Sequence, residues 1–341
     1  MTVPGQLSFF GPLPGSTPDL PAADGWRELP RGWGHPFHPI LPWAGAVPPA
    51  FAHALIERFT RPGDVVLDPA CGRGTVPLQA SLRRRVGIGI ADDPLGALAT
   101  AAVLDAPARR EALARVAELR IGWTHARAAA MDDVVAARTA VPALAALPAA
   151  TVAALLFLRA ELATDERTDR FLRVALAGLV AGAGSAPAAL PPDDDLGRLL
   201  ELRVARLYRS LPPGTRGLVI GAGTADPLTA AGLALRARAL PDRARLVIAR
   251  IGSSERPGAG SDLRRWIAGV PAPVRAGAPL PEETGRLLAG LRPRLAADGV
   301  LALVLPGARA AGADAGSRAR AACDAAVAAG WQVAGISVAG I

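Results

Sequence analysis

The stretch VVLDPACGRGTVPLQA, residues 65–80, ends an apolar run on a carboxylate, Asp68, and turns through Gly72-Arg73-Gly74 into a helical pattern. A strand that closes in a glycine turn and opens a helix offers backbone N–H groups and a helix N-terminus to a ligand. The turn lacks the third glycine of the dinucleotide fingerprint, and the Gly-Lys-Ser/Thr of a phosphate-binding loop does not occur. An acid at the strand end repels a pyrophosphate but accepts hydrogen bonds from a cationic amine. S-adenosylmethionine carries such an amine and no phosphate. The alternative is a glycine turn that serves packing alone.

The elements that must position this turn alternate. PPAFAHALIERF predicts a helix with proline in its first turn. Strands are expected at about 65–68 and 86–90, with helices at 76–84 and from Pro94. Strand-helix-strand with short connections predicts a parallel sheet. Residues 107–210 then carry apolar residues at three- and four-residue spacing only, which predicts a helical insertion. Strands are expected again at 217–221, 245–249, 299–305 and 331–338. The fold class is therefore α/β, a single Rossmann-like sheet interrupted once. Residues 1–47 read as a Pro/Gly/Trp-rich arm, 48–106 and 211–341 as the two parts of the sheet domain, and 107–210 as the insertion.

Hydrophobic content of 51% in 341 residues is ample for a packed core. Cys71 and Cys323 form no paired or metal-ligand spacing, so no disulfide framework and no metal site is expected. With no signal peptide or membrane span in the pattern, the expected location is cytoplasmic. The net charge of +8 permits a nucleic-acid partner. Lysine and asparagine are absent altogether, however, so much of the arginine content reflects a bias of the whole chain.

The DPACGRGT loop resembles the cofactor loop of class I methyltransferases, specifically the form found in enzymes that methylate amino groups of DNA adenine and cytosine. HPFHPILPWAGAVPPAFAHALIERF, upstream, is similar to the segment that helps enclose the cofactor in that family, with Trp43 at the aromatic position and Pro48-Pro49 at the proline pair. The resemblance implies S-adenosylmethionine at Asp68, Cys71, Gly72, Gly74 and Trp43, with Thr75 capping the helix. Cys71 itself reads as a small residue packed in the turn, because nothing nearby in sequence would activate a thiolate.

Two departures limit what the resemblance carries over. The acid that binds the ribose hydroxyls at the end of the second strand is replaced by Ala91, leaving Asp92 as the candidate. The Asp/Asn/Ser-Pro-Pro-aromatic motif after the fourth strand is missing, and Arg250-Ile251-Gly252-Ser253 stands in its place. That motif accepts the hydrogens of the target amine and stacks on the flipped base, so an arginine offers donors where acceptors are needed. Ser253, Ser254 and Glu255 are the remaining catalytic candidates. Arg250, Arg256, Arg264 and Arg265 are candidates for phosphate contacts. Three readings stay open. They are a DNA amino-methyltransferase relative (N6-adenine or N4-cytosine type) with eroded catalysis, a non-catalytic nucleic-acid-binding or partner subunit of the same fold, and an RNA methyltransferase. DNA is the expected partner, with RNA or a protein as alternatives; neither a membrane nor a metal is expected.

Overall fold

The computed structural model describes residues 5–10, 29, 33–43, 46–91, 93–126, 133–180, 196–209, 217–220, 243–250, 259–271, 288–304, 315–328, 331 and 333–339. Among the described residues seven strands form one sheet: β1 (Gly5–Phe10), β2 (Val65–Asp68), β3 (Val86–Ile90), β4 (Gly217–Ile220), β5 (Ala244–Arg250), β6 (Leu295–Val304) and β7 (Val333–Ala339). Their spatial order is β4-β3-β2-β5-β6-β1-β7. The first five run parallel, and β1 is antiparallel to both β6 and β7. Apart from β1, this is the order of a doubly wound sheet, in which the chain progresses outward from β2 in one direction and from β5 in the other.

All four residues of β2 are buried, the pattern of a parallel strand covered on both faces. Side chains alternate between two cores. Val65 and Leu67 join Ile88, Val247, Leu301 and Trp331 on one face. Val66 joins Leu246, Ile248 and Ala302 on the other, under α1 (Pro49–Phe59) and α2 (Thr75–Leu82). Proline opens α1, and the hydroxyl of Thr60 donates to the carbonyl of Ile56 at its end.

The described elements within 107–210 are all helical: α4 (Arg109–Ala126), α5 (Val134–Ala140), α6 (Ala149–Glu161), α7 (Arg167–Val180) and α8 (Leu196–Leu207), with a 3-10 turn at Pro142–Ala146. They share a third core with α3 (Pro94–Leu104) and α9 (Ala259–Ala268). At its centre Phe37, Phe171 and Tyr208 stack pairwise with centroids 5.3 Å apart, and the Tyr208 hydroxyl donates to the carbonyl of Pro107 at 2.6 Å. Phe37 belongs to the N-terminal segment, so that segment is fixed by the helical layer. A last helix, α10 (Ala315–Ala328), sends Ala322 and Ala326 to the core on the far face of the sheet. No helix among the described residues is long and apolar enough to cross a membrane.

The N-terminal residues correct the expectation of an arm lying on the domain. Residues 5–10 are an interior strand, with Leu7 opposite Val304 on one side and Ser337 on the other. A proline at this position would remove a ladder donor from a strand bonded on both edges. Leu7→Pro is expected to destabilise the protein by about 1–3 kcal/mol, the cost of leaving a buried ladder partner unsatisfied, measured as a lowered denaturation midpoint.

Candidate functional site

The sheet reverses its order between β2 and β5, and ligands of doubly wound folds bind outside the carboxyl ends of the strands at such a reversal. Asp68 ends β2 and Arg250 ends β5. Val66 packs with Leu246 and Ile248, so alternation puts Asp68 and Arg250 on this same face, the one covered by α1 and α2. Asp68 is 3% exposed. Its Oδ1 accepts the amide hydrogen of Ala70 at 3.1 Å, which folds the backbone back toward the glycine turn. Burial lowers the Arg250 pKa, and the negative charge of Asp68 opposes that shift. The two side chains therefore share one electrostatic environment.

The turn is built by close approaches. Gly72 has φ +49°, and a Cβ there would lie 2.6 Å from Nε1 of Trp43. Gly74 has φ +83°, and a Cβ there would lie 2.9 Å from the Thr100 hydroxyl. Both positions favour glycine on backbone and steric grounds together. Thr100, on α3, donates to the carbonyl of Gly72 at 3.0 Å and lies 3.3 Å from Sγ of Cys71. The Cys71 amide donates to the carbonyl of Ile90, and its buried thiol fills the space left by Gly89. Cys71 is thus a packed residue of the turn. Arg73, between the glycines, donates to the carbonyl of Leu41 at 3.1 Å, and burial pushes its pKa down to about 10.

Asp93 proves to be the second structural carboxylate of this edge. Its Oδ1 accepts the amide of Leu95 at 2.8 Å, capping α3 ahead of Pro94. The guanidinium of Arg265, on α9, grips the same carboxylate through two hydrogen bonds of 2.6 and 2.5 Å. Both side chains are almost fully enclosed. This cap was not among the expectations, although the Asp-Pro pair is a local signal from which it could be read; the partner from 172 residues away left no local trace.

Several expectations are corrected by this arrangement. Arg264 and Arg265 are 8% and 6% exposed, so they do not offer their charge to a phosphate backbone. Arg250 is partly buried, on the same face of the sheet as Asp68. Thr75 does not cap α2. Gly74 is the N-cap, without a side-chain bond, and the Thr75 hydroxyl instead accepts from Nε of Arg73 at 3.5 Å. Trp43 lies against Gly72, and Asp68, Cys71 and Gly74 belong to the same strand end and turn. Asp92, Ser253, Ser254, Glu255 and Arg256 lie outside the described residues.

His35 and His38 serve the packing of the segment before α1. Nδ1 of His35 accepts the amide of Phe37 at 3.2 Å, and Nε2 of His38 meets Oε1 of Gln79, on α2, at 3.2 Å. Burial chiefly pushes the His38 pKa down to about 3. Among the described residues no group of three or more His, Cys, Asp or Glu is placed to hold a metal ion. A cavity of about 430 Å³ lies in the helical layer between α4, α6 and α8, away from the glycine turn. Comparison with protein-family models, with curated proteins and with solved structures finds no match.

Arg265→Met would leave the Asp93 carboxylate enclosed without its cation, and breaking such a pair costs about 3–5 kcal/mol. A denaturant midpoint shifted down by that amount, with Arg265→Lys intermediate, is the expected result. His38 gives a pH prediction. Its folded pKa lies below the unfolded value, so the unfolded state takes up the proton first. The stabilisation is fully present above about pH 6.5 and falls by up to ~1.4 kcal/mol per unit as pH drops toward 3. Replacing His38 with Gln should flatten the acid limb of a stability-versus-pH curve.

Proposed function

We propose that this protein binds S-adenosylmethionine at the carboxyl edge of β2 and is a class I methyltransferase-fold relative of the DNA amino-methyltransferases (N6-adenine or N4-cytosine type) whose transfer chemistry has eroded. The observation that carries the reading is the position of Asp68 and the Gly72–Gly74 turn at the reversal between β2 and β5, opening α2. The residues suit the group. Asp68 supplies an acceptor for an ammonium, the left-handed glycines let backbone approach closely, and the indole of Trp43 lies against the turn. When bound, S-adenosylmethionine supplies an electrophilic methyl group. Asp68, Gly72, Gly74 and Trp43 would hold it.

Loss of transfer rests on Arg250. It stands where the resemblance calls for a side chain that accepts the hydrogens of the target amine, and a guanidinium has donors only. Losing one such orienting contact costs ~100- to 1000-fold in rate, by analogy with an oxyanion-hole donor. The burial of Arg264 and Arg265 removes two of the four arginines that a phosphate-binding patch would have used. A non-catalytic partner subunit of the same fold, in a cytoplasmic setting, is accordingly the second reading.

Calorimetry with S-adenosylmethionine is expected to give weak binding that Asp68→Ala and Gly72→Val both abolish. The same preparation should transfer no labelled methyl to DNA over long incubation. Absence of heat and of any thermal shift at millimolar ligand would refute the cofactor assignment. Robust DNA methylation would refute the erosion.

A further inference from the structure

The carboxyl edge carries more than an acceptor for an ammonium. Asp68 and Arg250 end adjacent parallel strands, and Val66 pairs with Leu246 and Leu67 with Val247 in the register between them. Both continue the alternation of residues that pack under α1 and α2. The N-terminus of α2, an eight-residue helix opened by Gly74, belongs to the same face, with Val76 and Ala80 in the shared core. A helix N-terminus and a guanidinium both favour negative charge, and a carboxylate favours positive charge. One strand end and its turn thus present an anion acceptor beside a cation acceptor.

A purely cationic ligand fits this arrangement poorly. It would find Asp68 already matched by the charge of Arg250 and would gain little from the helix terminus. A purely anionic ligand would meet Asp68. The group that satisfies both is a zwitterion with ammonium and carboxylate on one carbon. From this juxtaposition we infer that Arg250 is a binding residue for the carboxylate of an α-amino-acid group, with Asp68 taking the ammonium. The inference rests on the cofactor reading above and deepens it, because it assigns the methionine end of the ligand to two named residues. It also gives Arg250 a role that the phosphate contact expected from sequence does not.

Ligands that differ only at the amino-acid end test it. Calorimetry on the wild-type protein should find S-adenosylmethionine and S-adenosylhomocysteine bound ~10- to 100-fold more tightly than decarboxylated S-adenosylmethionine, which keeps the ammonium and lacks the carboxylate. In Arg250→Met that preference should vanish, with 5′-methylthioadenosine, which has neither group, bound as in the wild type. Arg250→Lys should keep part of the preference. Equal wild-type affinities for S-adenosylmethionine and its decarboxylated form would overturn the role of Arg250 while leaving the cofactor reading intact. Tighter binding by Arg250→Met would also overturn it, showing the guanidinium to be a competitor for Asp68. Failure of every adenosyl ligand to bind the wild type would overturn both readings at once.

Discussion

A carboxylate removed from water must be answered by a cation or by hydrogen bonds, and the edge of this sheet buries two of them. Asp68 at the end of β2 and Asp93 just beyond β3 are both under 5% exposed. Each takes one backbone amide from its own turn, and each is matched by an arginine from beyond the helical insertion. The enclosed Asp93–Arg265 pair contributes less through net energy than through exclusion of alternatives, because a wrong docking of α9 would strand a buried charge. The early and late halves of the sheet domain are in this way made to recognise each other across a long helical detour.

That dependence explains what the sequence could and could not disclose. β2 and β3 were legible because a parallel strand is buried on both faces and reads as an unbroken apolar run. The glycine turn was legible because left-handed backbone leaves few choices of residue. Helical spacing marked the insertion. The strand at 5–10 was not legible. GQLSFF is short, lies among glycines and prolines, and owes its place to partners near residues 301–304 and 333–339. The same holds for Arg264 and Arg265, which in a helical pattern read as solvated charge and in the structure lie enclosed. Propensity is local, whereas burial of a charge is settled by whatever folds over it.

Under the proposed reading, holding a cofactor and orienting a target amine fall to different residues. Elements that would hold a cofactor are supported by tight, mutually dependent packing. Thr100 braces the turn from α3, Arg73 ties it to Leu41, and Trp43 lies against Gly72. The position that would orient a target amine carries a guanidinium instead. Such a guanidinium is better suited to holding a ligand's acid group than to preparing a nucleophile.

The placement of β1 has a consequence for how the chain is made. Its partners, β6 and β7, follow all the other described strands in the chain, and β1 precedes them. At roughly 5–20 residues per second the N-terminal strand waits on the order of tens of seconds before its neighbours exist. During that interval β2, β3 and the helical layer can assemble, and once β6 emerges β1 can pair with it, leaving the far edge of β1 open until β7 follows. An unpaired edge on a nascent sheet is a template for association with other chains. Pairing of β1 is therefore a late, non-local event relative to the rest of the sheet. A chain that stops short of β7 leaves β1 with one partner in place of two, which gives a physical basis for telling unfinished products from finished ones.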